Sequence, residues 1–364
     1  MKENISKVII IGGGIAGAIA AYVCVKSNIN TIWFAPKSEV GGAIQVPPNS
    51  IRALKKLGCF GLLENFLTPI SMIRLRETNL KQDLANIDVS KNYFTISRKD
   101  VFSALAKSIV NSSKIEINED KIVSIENKNG QSKCISSSGE VIKSDFIIGA
   151  DGINGIARRL SCWTRNKNID NKVIKRAVIK VNKKNGILFQ SSINLWMGDG
   201  WHLVYYPFSK GKNLNAILVG NNAIHQINSS DNFELSLFEN TNWKNVNIEN
   251  INYFPRYINN NIILLGDAAH PMPPHLAQGA AQTFLDGAVL LDCLSKNDNI
   301  SSSVENYSRL RLESIKKVTN ISFFSGEVLK LSGLKKSVRN KLILSGNVFI
   351  NNFMTNLWGE NSSL

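Results

Sequence analysis

A long apolar run near the start of the chain gives its clearest structural signal. Residues 8–25 contain no charged side chain; they open on β-branched residues, pass through glycines and end in an alanine-rich segment. This order predicts a buried strand, a tight turn and a helix. A signal peptide or a short membrane span, preceded by Lys2 and Lys7, is the alternative that hydropathy offers. That alternative does not explain the change from β-branched to helix-forming residues.

Strand and helix patterns alternate up to Gly152, and the pattern then changes twice. Between 170 and 220, runs such as Ala177–Val181 and Leu203–Tyr206 predict a mostly antiparallel sheet, which we interpret as a substrate domain. At 261–282 a buried strand is again followed by a polar turn, a loop and a helix. The other predicted elements are helices at 50–57 and up to about residue 110, and strands at 114–118, 121–125, 133–137 and 145–149.

The composition is that of a globular protein. Of the 364 residues, 43% are apolar and 20% charged, which excludes the disordered, collagen-like and coiled-coil classes. Five cysteines at wide spacings form no metal or redox motif and fit a reducing cytoplasm. Basic residues exceed acidic ones by 43 to 28, a formal charge of +15. That charge alone leaves nucleic acid, a membrane surface or an acidic substrate open as partners.

The glycines after the first strand carry the first candidate chemistry. Gly12, Gly14 and Gly17 have the G-x-G-x-x-G spacing. The first glycine allows the tight turn, the second lets the backbone approach a pyrophosphate, and the third lets helix and strand pack closely. Free N–H groups at Ile15 and Ala16 would face the anion at the positive end of the helix dipole. With a strand before it and a helix after it, this turn predicts dinucleotide binding.

One part of the dinucleotide-binding pattern is missing. An Asp or Glu about 20 residues after the turn normally holds the ribose hydroxyls. Here the second strand reads Thr31–Pro36 without an acid, and Glu39 is the nearest carboxylate. We expect either that backbone groups hold the ribose or that the affinity for the cofactor is reduced.

Two later turns offer further ligand contacts. The strand at 145–149 runs into Gly-Ala-Asp-Gly at 149–152. This turn either lies at the cofactor-binding edge of the sheet or is a plain tight turn. After the strand at 261–265, Asp267 can accept hydrogen bonds from sugar-like hydroxyls. A predicted helix begins at Gly279–Ala281, and the backbone N–H groups of these residues would face an electron-rich group of a ligand.

These blocks resemble one protein family over nearly the whole chain. The matching segments are Gly12–Gly17, Gly149–Gly152, Gly266–Ala280, Ile44–Gln45, Pro48–Asn49, Arg98, His202–Pro207 and Leu357–Gly359. The third of these blocks, from Gly-Asp-Ala-Ala-His-Pro to Ala-Gln-Gly-Ala, is the most specific. On these segments the chain is similar to the class A FAD-dependent aromatic hydroxylases, nearest to the salicylate and 3-hydroxybenzoate hydroxylase-like monooxygenases.

The resemblance implies the α/β domain organisation. A doubly wound, Rossmann-type FAD-binding domain would comprise 1–68, 94–165 and 255–300. A mostly antiparallel substrate domain at 69–93 and 166–254 would interrupt it and cover the flavin ring. C-terminal helices at 301–364 would complete the chain.

The resemblance also assigns contacts to bound FAD. The pyrophosphate, ribityl and ring contacts would come from Gly12, Gly14, Ile15, Ala16, Gly17, Arg98, Asp267, Gly279 and Ala280. The segment at Asp151 is associated in the family with both FAD and the nicotinamide cofactor. Gly155 replaces the usual serine there, while Arg158 is retained. No metal site is implied.

The family chemistry is implied as well. Transiently bound NADH or NADPH would reduce FAD, O2 would add to form a flavin C4a-hydroperoxide, and its distal oxygen would hydroxylate a small aromatic or phenolic substrate. The single glycine fingerprint agrees with transient docking of the nicotinamide cofactor. An epoxidase or an N-hydroxylating monooxygenase on a non-phenolic substrate is the nearest alternative. The missing ribose acid leaves a catalytically silent FAD-binding protein open.

Candidate catalytic residues follow from strand period and from the resemblance. His202 and Tyr206 lie four residues apart on one predicted strand, so both face the same side, and both match positions near the substrate in hydroxybenzoate hydroxylases. A packed His and Tyr on the sheet face is the alternative. His275 belongs to the loop beside the flavin, where Pro274 replaces a polar residue of some relatives. His270 is expected to brace its turn.

The charge is concentrated near the end of the chain. Nine basic and two acidic residues between Arg309 and Lys341 give a local charge of +7, and apolar residues follow at helical spacing up to Leu357. Such a segment fits a membrane-associated flavin oxidoreductase acting on an isoprenoid or quinone precursor. Packing on its own domain or across a homodimer is favoured over membrane contact. The flavin motifs remove the need for nucleic acid, so we expect a cytoplasmic monomer or homodimer with a small-molecule substrate.

Overall fold

The structure, a computed structural model, describes most of the chain. The described residues are 7–37, 41–78, 80, 82–128, 131–161, 174–182, 191–220, 223–228, 232–246, 255–296 and 299–359. Glu39, the acid nearest to the expected ribose position, lies outside them.

A six-stranded sheet carries the glycine turn. Its strands, in order across the sheet, are β18 (Ile258–Asn259), β19 (Ile262–Leu264), β12 (Phe146–Gly149), β1 (Val8–Ile11), β2 (Thr31–Phe34) and β8 (Ile115–Asn118). All neighbours are parallel except β18 and β19. β1 and β2 are buried along their whole length, as expected for unbroken apolar runs in a parallel sheet. The first apolar run therefore forms a central strand, the glycine turn and α1, which confirms the predicted strand, turn and helix.

A seven-stranded sheet forms the second layer and confirms the mostly antiparallel insertion. Its order is β17 (Lys244–Val246), β13 (Ile174–Lys180), β16 (Asn213–Val219), β15 (His202–Phe208), β14 (Ser192–Met197), β5 (Met72–Glu77) and β6 (Ala85–Asp88). Only the β14 and β5 pair is parallel among these neighbours. The sheet thus joins strands from two separate parts of the chain.

Two small sheets and the helices complete the described fold. One sheet has the order β3 (Ala43–Val46), β7 (Phe94–Ser97) and β4 (Thr68–Pro69), and the other β11 (Val141–Ser144), β10 (Gln131–Ser136) and β9 (Ile122–Lys128). The helices are α1 (Ile15–Lys26), α2 (Pro48–Leu57), α3 (Phe60–Leu63), α4 (Arg98–Ile109), α5 (Ile156–Ser161), α6 (Ala223–Asn228), α7 (Phe233–Ser236), α8 (Gly279–Lys296), α9 (Ile300–Leu329), α10 (Gly333–Ser345) and α11 (Asn347–Trp358).

Three apolar cores hold these layers together. The largest packs the six-stranded sheet against helices that include α1 and α8. The other two lie on opposite faces of the seven-stranded sheet, because Tyr206 belongs to one and its neighbour Tyr205 to the other. Trp358 of α11 packs into the core that contains Tyr206. Within the described ranges, no helix is both long and apolar enough to cross a membrane.

Candidate functional site

The glycine turn between β1 and α1 is held by very close backbone contacts. Gly12 has a φ of +134°, and a Cβ there would lie 2.2 Å from the carbonyl oxygen of Ala150 at the end of β12. A Cβ at Gly17 would lie 1.9 Å from the Gly12 carbonyl oxygen. The same oxygen accepts a hydrogen bond from Trp33 Nε1 at 2.9 Å. Both glycines are therefore required by the packing of helix and strand, as their spacing predicts.

The start of α1 is open to an anion. Gly14 is the N-cap residue and is extended, and no side chain accepts a hydrogen bond from the first N–H groups of the helix. A Cβ at Gly14 would meet nothing within 4 Å, so the backbone faces open space. The first turn of the helix contains no acidic residue. Unsatisfied N–H groups at the positive end of the helix dipole favour a phosphate here.

A second turn, after β19, lies against the start of α1. A Cβ on Gly266 would lie 2.9 Å from Cβ of Ala16, so the two backbones approach closely. Asp267 follows and its side chain is exposed. A Cβ on Gly279, the first residue of α8, would lie 3.8 Å from Asp267 Oδ1. The fold thus brings together the three glycine-containing blocks that are far apart in the sequence.

A buried charge network fixes this second turn from behind. Asp286 of α8 accepts hydrogen bonds from the Gly266 N–H at 2.9 Å and from Arg311 Nε at 2.7 Å, and it lies 2.6 Å from His270 Nε2. Burial acts to raise the pKa of Asp286, but the charges of His270 and Arg311 outweigh it and lower the pKa. Arg158, also buried, donates to the Ala268 carbonyl oxygen at 2.7 Å. His270 and Arg158 therefore have structural partners, and the turn cannot shift without breaking ion pairs.

Asp151 is directed toward α5. Its Oδ2 accepts a hydrogen bond from the Ala157 N–H at 3.0 Å, and burial raises the pKa of the carboxyl group. A Cβ at Gly155 would lie 2.0 Å from Asp151 Oδ1. The glycine that stands in place of the usual serine thus leaves the room that this carboxylate occupies. Asp151 is not among the residues that line the cavity described next.

A large cavity of about 1370 Å³ runs from the glycine turn to the seven-stranded sheet. It is larger than the usual site for one drug-sized ligand. The predicted site residues that line it are Gly14, Ile15, Ala16, Arg98, Tyr206, Asp267, His275, Gly279 and Ala280. The predicted residues outside the lining are Gly12, Gly17, Asp151 and His202, of which the two glycines hold the turn itself. The cavity has room for a dinucleotide together with a second, smaller molecule.

A cluster of uncharged polar groups lies at the sheet end of the cavity. Tyr206 Oη donates to the Ala43 carbonyl oxygen at 3.1 Å, and Tyr93 Oη donates to Gln45 Oε1 at 2.7 Å. The Ala43 N–H donates to Asn215 Oδ1 at 3.1 Å. Burial raises the pKa of Tyr206 to about 12, so its hydroxyl remains protonated at neutral pH. We call these five residues the polar cluster; such convergent polar groups orient a ligand in an otherwise apolar cavity.

Two arginines place positive charge in the cavity wall. Arg98 begins α4 and Arg176 lies on β13, and both line the cavity. Burial, together with the charge of Arg98, lowers the pKa of Arg176, which still keeps its charge as arginines do in proteins. Arg176 Nε is buried and has no hydrogen-bond partner among the described residues. This arrangement is suited to an anionic group of a bound molecule.

His202 and His275 form a buried pair at the edge of the cavity. His275 Nδ1 lies 3.4 Å from His202 Nε2, and only His275 lines the cavity. The other edge of the His275 ring packs against Gly326, where a Cβ would lie 2.3 Å from the ring. Burial, with the charges of His275 and Lys330, lowers the pKa of His202 well below its usual value. His202 is therefore neutral at physiological pH.

This neutral histidine makes stability depend on pH in one direction. An unfolded histidine takes up a proton near pH 6.5, whereas folded His202 does not, so the free energy of unfolding falls as the pH drops below that value. One such group contributes a slope of up to about 1.4 kcal/mol per pH unit. In urea unfolding of the FAD-saturated protein, a His202→Gln variant is expected to lose that part of the slope. His225→Gln, at an exposed histidine, is the matched control and should keep the wild-type slope. An unchanged slope in His202→Gln would refute the assignment.

Several residues of the site carry no signal in the sequence. Arg176, Tyr93 and Asn215 lie outside the motifs, and each reaches the cavity only through the pairing of distant strands. Asn49, in contrast, belongs to a motif, and its Nδ2 donates to Gln278 Oε1 at 2.9 Å. This bond ties the start of α2 to the loop before α8. Alternation along β13 shows which residues share a face, but not that this face meets a cavity.

The chain is similar in sequence to known FAD-binding proteins. The family model described as FAD binding domain matches residues 6–322. The chain is similar to 3-hydroxybenzoate 6-hydroxylase 1 of Aquipseudomonas alcaligenes, with 23% identity over 93% of each protein. It is also similar to 3-amino-4-hydroxybenzoate 2-monooxygenase of Streptomyces cremeus, with 25% identity over 86% of this chain and 84% of that protein.

Solved structures share the fold over nearly the whole chain. HpxO of Klebsiella pneumoniae, in a complex with FAD and uric acid, superposes with a TM-score of 0.83 at 17% identity, covering 98% of this chain and 97% of that one. A salicylate hydroxylase substrate complex superposes with a TM-score of 0.79 at 17% identity, covering 98% and 96%. These likenesses extend through both large sheets and the C-terminal helices.

Proposed function

The chain belongs to the FAD binding domain family, that of the class A flavoprotein aromatic hydroxylases, and from this premise we propose that it hydroxylates a small aromatic substrate with NAD(P)H and O2. The resemblance seen in the sequence is thereby confirmed at the level of the family. The proposal rests chiefly on one observation. A single cavity joins the glycine turn and Asp267, at one end, to Tyr206 and Arg176 on the sheet at the other.

The residues at the first end fit FAD. The backbone of Gly14 faces open space, and no side chain caps the start of α1. The free N–H groups there suit the pyrophosphate. Asp267 is exposed beside Gly279 and would accept hydrogen bonds from ribityl or ribose hydroxyls. Arg98 and Ile15 line the same cavity. Bound FAD supplies the redox chemistry of hydride acceptance and oxygen activation, while the protein binds, orients and excludes water.

The residues at the second end would hold the aromatic substrate. Apolar side chains from β5, β14 and β15, such as Ile73, Ile193 and Val204, line the wall and keep water from the ring. The Tyr206 hydroxyl, held by Ala43, would hydrogen-bond a phenol or amine on the ring. Burial lowers the pKa of His202, which makes its imidazole a weak proton acceptor, and His202 does not line the cavity. We therefore assign the histidine pair the positioning of the loop at His275.

Arg176 would pair with an acidic group of the substrate. Arg176→Met is expected to raise KM for a benzoate-type substrate about 10- to 100-fold, because a charge-assisted hydrogen bond contributes about 1.5–3 kcal/mol. The KM for a neutral phenol should change little. Steady-state NAD(P)H oxidation with both substrates checks this, with FAD content as the control for folding. Equal effects on acid and neutral substrate, or loss of FAD, would contradict the assignment.

Tyr206 would orient the substrate through its hydroxyl. Tyr206→Phe is expected to lower kcat/KM about fivefold, since one hydrogen bond contributes about 1 kcal/mol. Tyr205→Phe is the matched control: its hydroxyl is buried on the opposite face of β15, in a different core. Its activity should equal that of the wild type. Equal losses in the two variants would show that the Tyr206 hydroxyl stabilises the sheet and does not orient the substrate.

The proposed reaction is tested by a substrate panel. Hydroxybenzoates, aminobenzoates and simple phenols are each incubated with the FAD-saturated protein and NADH or NADPH, and products are identified by mass spectrometry. We expect at least one ring-hydroxylated product together with stimulated NAD(P)H oxidation. Alkenes and non-phenolic amines are incubated in parallel; turnover of one of these, without any hydroxylated phenol, would instead support an epoxidase or an N-hydroxylating monooxygenase.

A further inference from the structure

Helix α10 turns three polar side chains toward the protein and three large apolar side chains outward. Lys336, Arg339 and Asn340 are buried. Leu334, Val338 and Leu342, spaced four residues apart on the opposite side, are 86%, 57% and 66% exposed. We call these three leucine and valine residues the α10 stripe. A surface helix normally has the reverse arrangement.

Ion pairs and hydrogen bonds fix this orientation of α10. Lys336 Nζ lies 3.2 Å from Glu77 Oε1 on β5 and 3.1 Å from Asp199 Oδ1. Arg339 donates to the carbonyl oxygens of Val328 and Leu329, at 3.2 and 3.1 Å, at the end of α9. Rotation of the helix to bury its leucines would leave the carboxylate of Glu77 buried without its cation, which is costly. The outward stripe is therefore a stable feature of the fold.

The α10 stripe borders the mouth of the large cavity. All three of its side chains line that cavity, as does Phe324 of α9, which is 67% exposed. Four large, exposed apolar side chains thus line the opening of a cavity whose interior is also apolar. Exposed apolar side chains gathered at one place mark surfaces that contact another apolar phase or molecule.

The charge around the stripe identifies the partner. α10 contains four basic residues and no acidic one, and Lys335 and Lys341 beside the stripe are exposed. We propose that the α10 stripe docks on the surface of an anionic lipid bilayer, with the leucines in the acyl boundary and the lysines at the headgroups. A helix of 13 residues is about 20 Å long and lies in the plane of the interface. This docking goes beyond the proposed reaction and does not depend on it.

A second copy of the chain is a poorer partner for the same face. In a twofold dimer the same patch would meet itself, so Lys335 and Lys341 of both copies would be brought together. Like charges in contact oppose such an interface. A bilayer of anionic lipid, in contrast, matches both the apolar stripe and its basic border. It also places the cavity mouth next to the acyl region.

Vesicle flotation of the full-length, FAD-saturated protein tests the proposal. We expect the wild type to float with phosphatidylcholine vesicles that contain phosphatidylglycerol, and to do so less as salt is raised. A variant with Leu334→Ser, Val338→Ser and Leu342→Ser is expected to bind at least about tenfold more weakly, because three apolar side chains no longer enter the interface. FAD content and melting temperature equal to those of the wild type would show that the variant is folded.

Two further variants make the test specific. Val110→Ser, Val123→Ser and Val141→Ser together remove three exposed aliphatic side chains elsewhere, and this control should float like the wild type. Lys335→Glu with Lys341→Glu should lose about tenfold in binding to the anionic vesicles. A wild type that never floats, or a stripe variant that floats normally, would overturn the proposal. So would a wild-type dimer that the stripe substitutions convert to a monomer without any vesicle binding.

Discussion

A methyl group added at Gly17 is expected to abolish FAD retention. The new Cβ would lie 1.9 Å from the Gly12 carbonyl oxygen and 3.0 Å from Trp33 Nε1, the two groups joined by the hydrogen bond that holds the glycine turn. Because both are fixed in the core, the start of α1 must move away from β1. A Gly17→Ala protein should purify colourless, without flavin absorbance and without NAD(P)H oxidation.

The control for this substitution is another helical glycine. A Cβ at Gly61 in α3 would meet nothing within 4 Å, so Gly61→Ala should retain FAD at the wild-type level. The ratio of visible to ultraviolet absorbance, after extensive dialysis, measures retention in both proteins. Stoichiometric FAD in Gly17→Ala would mean that the turn tolerates displacement and does not bind the pyrophosphate.

Removal of the Asp286 charge is expected to cause the largest loss of stability. The carboxylate is fully buried and compensates Arg311, which is itself 3% exposed. Asp286→Asn keeps the shape but leaves the guanidinium without its counter-charge, and breaking a buried pair in this way costs about 3–5 kcal/mol. The turn at Gly266 and His270 loses its anchor at the same time. Urea unfolding, monitored by circular dichroism, measures the change in the free energy of unfolding.

Asp292 on the same helix provides the matched control. Its carboxylate forms ion pairs with Lys56 and Lys296, but it is partly exposed. Exposed pairs contribute about 0–1 kcal/mol, so Asp292→Asn should unfold almost as the wild type does. Similar losses in the two variants would contradict the role given to the buried network.

The parts of the site that the sequence predicts are those fixed by local geometry. Gly12 and Gly17 are needed because a strand and the next helix approach closely, and that requirement has a fixed spacing. The buried strand and turn before Asp267 are equally local. Tyr206 and Tyr205 pack into cores on opposite faces of β15, and by the same alternation His202, on that strand, shares the Tyr206 face.

The remainder of the site depends on contacts between distant segments. Arg176, Tyr206 and Asn215 meet only because β13, β15 and β16 pair, and they line the same cavity as the glycine turn. The orientation of α10 is another example. Its sequence shows an apolar and a basic side, but which side faces inward is decided by Glu77 and Asp199, far away in the chain.

The central claim is that the protein inserts an oxygen atom from O2 into an aromatic substrate by means of FAD. The most direct test is turnover of the best substrate from the panel under heavy-isotope O2, with mass spectrometry of the product. The account predicts FAD-dependent formation of a hydroxylated product in which the added oxygen carries the heavy isotope. A product whose added oxygen comes from water, or NAD(P)H oxidation that yields only hydrogen peroxide with every substrate, would contradict it.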